Sequence, residues 1–284
     1  MFFANKSVRV FKNMLKHDNM DTSALNHCLN KENPIVVIPY IIKQGTQIIR
    51  VRPNIKDKRF NNIKELTYPP ADKCKLSRAN LKEQPMFYAA LPLDDITPRI
   101  AILQETVENL FHPNSGSEIY VTFSKWVLKH DIKVFAFPVS RKYRYFTKIF
   151  KNARLFWRFF KKNLSYDKVS FSKYIGDLMA CNGSDNIYTI TASAIQYILN
   201  QDKSLYKGVI YPSQKMKGLG NNIALTTKTV DNCCRLETAV TSVIVEYNGE
   251  PRVDDLEIAS WDDNGNITWD QLNNNQSIVQ NESE

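Results

Sequence analysis

Nowhere does the sequence hold an uninterrupted apolar run near the length of about eighteen residues that a membrane-spanning helix needs. Its first residues, MFFANKSVRVFKNMLKH, scatter basic side chains but contain no apolar core of signal-peptide length, so a cytoplasmic protein with no membrane role is expected. Histidine is scarce: His17, His27, His112 and His130 stand far apart. The five cysteines (Cys28, Cys74, Cys181, Cys233, Cys234) form no CxxC, and the adjacent Cys233 and Cys234 cannot pair without strain. Free thiols in a reducing compartment, and no metal site, are the expectation. No serine lies in a GxSxG elbow, and no histidine has the context of a triad. Gly218-Leu219-Gly220-Asn221-Asn222 lacks the third glycine and the following helix of a dinucleotide fingerprint, and reads as a turn between strands. Asp262-Asp263-Asn264-Gly265-Asn266 has its glycine too early for a calcium loop, with Asn273 where the bidentate glutamate belongs; it reads as a hairpin turn.

What is present is a chain of 284 residues, 43% hydrophobic and 24% charged, long enough to bury a sizeable core. Its net charge of +9 is local. Residues 141–163, RKYRYFTKIFKNARLFWRFFKKN, hold nine Lys or Arg and no acid, and the remainder balances at 29 basic against 29 acidic residues. Phe146, Phe150, Trp157 and Phe160 fall on one face of a helix there. Three readings stay open for this element: phosphate and base contacts to a nucleic acid, a docking or membrane-surface helix, or a peripheral helix with a solvated basic face.

Along the chain, residues 1–33 read as a helical extension. NPIVVIPYII, TQIIRVR, PMFYAAL, SEIYVTFS and DIKVFAFP read as strands, with a helical segment around Trp126 and Leu128. Thr97-Pro98 opens a helix with the stripe Ile100, Leu103, Val107, Leu110 and Phe111. Helices are predicted near 170–180 and 191–200. Strands follow at GVIYP, NIAL, TAVTSVIVEY and VDDLEIASW, and residues 263–284 read as a polar, disordered tail. The elements interleave without βα regularity, which predicts an α+β fold. Taken alone, Glu105 sits opposite the apolar stripe of its helix as a solvated glutamate, and Arg50 and Arg52 alternate with Ile49 and Val51 as on a half-exposed sheet.

The order of the strings IIRVR, ELTYPP, SRAN, PMFYAA, ILQETVENLF and GVIYPS with NNIAL resembles the RES-domain family, the toxin halves of bacterial toxin–antitoxin pairs whose antitoxins are similar to Xre-type repressors. The resemblance spans about residues 35–250. It implies an ADP-ribosyltransferase-like catalytic domain over 34–262, with residues 141–200 as a helical insertion, read as a lid or antitoxin-docking element. Ser77 stands where the family has glycine, and Glu105 and Ser213 lie further apart than in compact members.

Position by position, the resemblance implies Glu105, Arg50 and Ser213 as catalytic residues, with Arg52, Arg78, Asn80 and Tyr88 binding NAD⁺. Arg52 is an alternative for the family arginine. NAD⁺ would be the substrate and phosphate or water the acceptor; an Xre-like antitoxin would be the partner, with no direct nucleic-acid role. The residue types suit that chemistry. Cleaving an N-glycosidic bond passes through an oxocarbenium-like centre that a carboxylate stabilises. Guanidinium groups suit a pyrophosphate, an aromatic ring stacks on nicotinamide, and a serine hydroxyl both donates and accepts. Transfer of ADP-ribose to a macromolecule and a non-enzymatic binding role are the rival readings.

Overall fold

The β-branched runs form strands: β1 (Ile38–Ile42), β2 (Gln47–Pro53), β3 (Met86–Leu91), β4 (Ile119–Leu128) and β5 (Ile132–Ala136). In this computed structural model the described residues are 13, 29, 35–55, 58–91, 103, 118–140, 166–181, 183–201, 205–213, 221–247 and 250–272. A short helix, α1 (Ile63–Leu66), lies between β2 and β3; Asn62 and Glu65 close a capping box on its first turn. Then come α2 (Tyr166–Met179), α3 (Asp185–Gln201), β6 (Gly208–Pro212), β7 (Asn221–Thr226), α4 (Thr227–Cys233), β8 (Cys234–Tyr247), β9 (Glu250–Trp261) and β10 (Ile267–Gln271). The Thr97-Pro98 helix apart from Leu103, the basic aromatic segment 141–163, and most of the N-terminal extension lie outside the described residues.

The ten strands form one sheet in the order β1-β5-β6-β7-β3-β2-β4-β8-β9-β10. Its pairs are antiparallel except β5 with β6, whose registered contact is Phe135 to Val209. A parallel pair needs a crossover, and α2 and α3 lie in that connection. They cover one face of the sheet, where Phe171, Ile175, Ile190 and Ile195 meet Val209, Tyr211 and Ala224. Gly176 permits the fit, since a Cβ there would stand 2.0 Å from the Pro138 carbonyl oxygen. The same face continues across β2 and β4 as a smaller cluster of Val51, Ala90, Val121 and Phe123 with Leu103. On the opposite face, Ile48, Phe87, Trp126, Ile210 and Ile223 form a second core beneath Leu66 and Val230.

One seam in this sheet is thin. β2 registers with β4 through seven residues, Gln47 to Pro53, yet with β3 only at Ile49 opposite Ala90. On its other side β3 is in full register with β7.

Two sequence expectations are corrected. The segment around Trp126 and Leu128 is strand, because β4 continues straight through it to Leu128. Trp126 packs edge-on against Phe87 with ring centroids 5.5 Å apart, and this burial outweighs the local helical pattern. A bulge in the pairing with β8 between Lys125 and Trp126 disguises the alternation. The expected tail is also ordered in its first part: residues 263–266 turn, with Gly265 at φ +77°, and β10 pairs with β9 from Ile267 to Gln271. This hairpin reaches back to the first half of the chain. Ile267 N–H donates to the Asn61 carbonyl at 2.8 Å, and Trp269 Nε1 to the Phe60 carbonyl at 2.8 Å.

Replacing Trp269 by alanine removes that bond and the ring's packing on the second core. The expected cost is about 2–3 kcal/mol, under the about 3–5 kcal/mol of a fully buried tryptophan. Denaturant unfolding checks the loss, and amide exchange should quicken over residues 59–66.

Candidate functional site

The SRAN stretch folds as a tight turn, with Ser77 N–H donating to the Asn80 carbonyl at 3.0 Å and Asn80 N–H to the Ser77 carbonyl at 3.3 Å. Asn80 is 1% exposed and its side chain is fully used. Its Nδ2 donates to the Lys75 and Leu81 carbonyls, each at 2.8 Å, and its Oδ1 accepts from the Tyr88 hydroxyl at 2.6 Å. The Tyr88 oxygen in turn accepts the Ala79 N–H at 2.9 Å. Burial pushes the Tyr88 phenol up to about 12. What Tyr88 has left to offer a ligand is its ring, and the turn fixes where that ring lies.

Arg78, inside the same turn, donates through Nη1 to the carbonyls of Leu178, Met179 and Cys181 at 3.2, 2.9 and 3.0 Å, capping the C-terminal end of α2. Its guanidinium also lies 5.3 Å from the Tyr188 ring centroid.

Arg50 stands at the thin seam. Its Nη1 donates to the Tyr88 carbonyl at 2.6 Å, and the guanidinium lies 5.2 Å from the Phe87 ring centroid. Its buried Nε has no partner among the described residues. Burial, and then the charge of Arg52, pull the group well below arginine's ordinary range, and it stays protonated at neutral pH. Arg52 lies two residues along the same strand face. It donates through Nη1 to the Glu65 carbonyl and stacks 5.0 Å from the Phe60 ring centroid. Alternation puts both arginines on the Phe87 face, whereas the Tyr88 ring packs with the helix-covered core on the other face.

Ser213 follows Pro212 directly at the end of β6 and is 2% exposed. Opposite Pro212, β7 opens with Asn221. Strand spacing sets Ser213 roughly 15 Å from Tyr88. Glu105 lies outside the described residues, but Leu103 of the same segment is buried against Val51 and Ala90 on the Tyr88 face.

The structure thus bonds Asn80 to Tyr88, sets Arg78 in the same turn with its side chain on α2, and attaches Arg50 to Tyr88 through a backbone carbonyl, while Arg52 turns toward Phe60. Buried Asn221 and Asn222 went unassigned from sequence, although NNIAL was among the strings compared. Asn222 pairs with both Ala90 and Tyr211 and shares their face, and the buried Asn221 Oδ1 has no partner among the described residues. Thr191 and Gln196 of α3 were also missed; Thr191 Oγ1 donates to the Arg78 carbonyl at 2.7 Å, and Gln196 Nε2 lies 3.4 Å from the Ala79 carbonyl. No local motif marks either residue. Among the described residues no group of His, Cys, Asp and Glu is arranged to hold a metal ion.

No family model matches the sequence, and no curated protein matches it. Among solved structures, the fold is similar to a chain in the crystal structure of the M. tuberculosis MbcT–MbcA toxin–antitoxin complex. That similarity has a TM-score of 0.35 and 13% identity, and covers 71% of this chain and 86% of that one.

Tyr88 makes stability pH-dependent. The folded phenol holds its proton more tightly than the unfolded one, a contribution of about 2–3 kcal/mol. It is whole below the ordinary tyrosine value of about 10 and fades as pH rises through about 12. The stability gap between the wild type and Tyr88→Phe should therefore narrow steadily above about pH 10, as urea unfolding at a series of pH values will measure.

Proposed function

We propose that this protein is an NAD⁺-degrading enzyme that cleaves the nicotinamide–ribose bond, passes the ADP-ribosyl group to phosphate or water, and acts as a toxin restrained by an antitoxin partner. One observation carries the reading above the others: of the residues that the sequence strings single out, Asn80 and Tyr88 bond each other, Arg78 shares their turn, and the cation of Arg50 bonds the Tyr88 carbonyl.

The chemistry then follows from what each side chain can offer. Tyr88, its hydroxyl held by the turn, offers a flat ring to the nicotinamide. Arg50, on the opposite face of the sheet from that ring, holds the Tyr88 carbonyl and lends its buried positive charge to the pyrophosphate across the strand. Ser213, at the far end of the site, has a hydroxyl suited to a ribose or carboxamide group. The Glu105 carboxylate holds the ribose hydroxyls and stabilises the positive charge that grows at the anomeric carbon as nicotinamide leaves. Phosphate or water then attacks that carbon, giving ADP-ribose 1-phosphate or ADP-ribose. The antitoxin partner enters through the family resemblance, and its predicted contact is the basic segment 141–163, because α2 and α3, read from sequence as part of a 141–200 insertion, are built into the core as the β5–β6 crossover.

Purified protein mixed with NAD⁺ should release nicotinamide, and Glu105→Gln should slow the release by about 10²–10³-fold, as when one stabilising donor is lost. Chromatography of the second product with and without phosphate names the acceptor. ADP-ribose found on a macromolecule instead would make the protein a transferase, and an unimpaired Glu105→Gln would remove that residue from the mechanism.

A further inference from the structure

The family resemblance gives Arg78 to the ligand, but its surroundings assign it other work. We infer that Arg78 is a positioning residue: its guanidinium, fixed on the last carbonyls of α2, holds the 77–80 turn and through that turn the Tyr88 ring, and takes no phosphate of the substrate. The proposal rests on the NAD⁺-cleaving reading only for which step is affected; the clamp itself is a matter of geometry.

Three backbone carbonyls, from Leu178, Met179 and Cys181, converge on a single Nη1. The C-terminal end of a helix carries partial negative charge, which attracts a guanidinium and repels a phosphate brought to the same place. The Tyr188 ring stands 5.3 Å away. The turn is tethered from α3 as well, through Thr191 Oγ1 to the Arg78 carbonyl at 2.7 Å. What leaves the turn on its other side are the two bonds that orient Tyr88, the Ala79 N–H donated to its oxygen and its own proton donated to Asn80 Oδ1. An unbroken chain of hydrogen bonds therefore runs from the helix pair to the ring expected against nicotinamide. A phosphate taken by Nη1 would require giving up the end of α2.

The test is a double-mutant cycle in the full chain with Arg78→Lys, Tyr88→Phe and both together. Lysine keeps the charge, but its side chain ends short of Nη1 and lacks the planar group that lies by the Tyr188 ring. A positioning role predicts that Arg78→Lys quickens exchange of the Ala79 amide by about tenfold or more, toward the Tyr88→Phe value. It predicts that kcat for nicotinamide release falls while ADP-ribose affinity stays within about threefold, and that the lysine adds little once Tyr88 is already phenylalanine. The opposite pattern overturns it: ADP-ribose affinity down by about thirtyfold or more with Ala79 exchange unchanged. Full additivity on the Tyr88→Phe background overturns it too. Should the lysine variant not fold, Thr191→Val cuts the other tether and is read in the same way. If the protein does not act on NAD⁺, the exchange measurements still decide the clamp, whereas nicotinamide release alone decides the activity.

Discussion

The site hangs on a place where two strands stop pairing. β2 and β3 share one registered position, Ile49 with Ala90, and beyond it the Tyr88 carbonyl has no strand partner on that side. Arg50 supplies the missing donor from its side chain at 2.6 Å. A buried carbonyl left without a partner costs about 1–3 kcal/mol, so the arginine closes a gap that the backbone leaves open. It also brings a permanent charge inside the sheet. The only nearby charge that shifts its titration downward is another cation, Arg52. The two sides of the seam thus become dependent on each other: the strand carrying the cations and the strand carrying the ring are joined by one side chain, where a ladder would otherwise run.

Around this seam the two faces of the sheet are built differently. The Tyr88 face is covered by a helix pair that the parallel β5–β6 connection makes necessary, and that pair also holds the turn before β3. The Phe87 face is closed by the residues around α1, and these are held in turn by the hairpin of β9 and β10. Arg59 bonds Glu257, which also accepts from Thr241 at 3.0 Å and Gln271 at 3.0 Å, so the same small region is gathered by β8, β9 and β10 together. The arginines of β2 lie under this cover, between Phe87 and Phe60.

Much of this was legible as pattern and little of it as partnership. The runs at 38–42, 47–53, 86–91, 208–212 and 221–226 are β-branched or aromatic and bounded by turn residues, and they are strands. The helices expected near 170–180 and 191–200 are present but begin earlier, at Tyr166 and Asp185. Trp126 was misread because its strand carries an irregular register that only the neighbouring β8 explains. Residues 267–271, polar and half exposed, looked like tail because their reason to order is a set of acceptors some 200 residues away, as the Trp269–Phe60 separation of 209 shows. The site divides in the same way. Asn80 and Tyr88 stand eight residues apart and find each other locally. Arg78 finds backbone carbonyls 100 or more residues on, which no side-chain pattern announces. That Arg50 and the Tyr88 ring face opposite sides follows from the β2–β3 register, a property of two strands that neither one contains.

The closing hairpin also has a meaning for the birth of the molecule. Residues 59–63 leave the ribosome some 200 residues before the groups that secure them, Gly265, Asn266, Ile267 and Trp269. Over that interval the cover over the β2 arginines therefore lacks its fastening. The Phe87 side of the sheet is closed by contacts some 200 residues apart in sequence, and such long-range closure makes folding slow. A nascent chain of this protein stays unfinished on that side until β10 arrives.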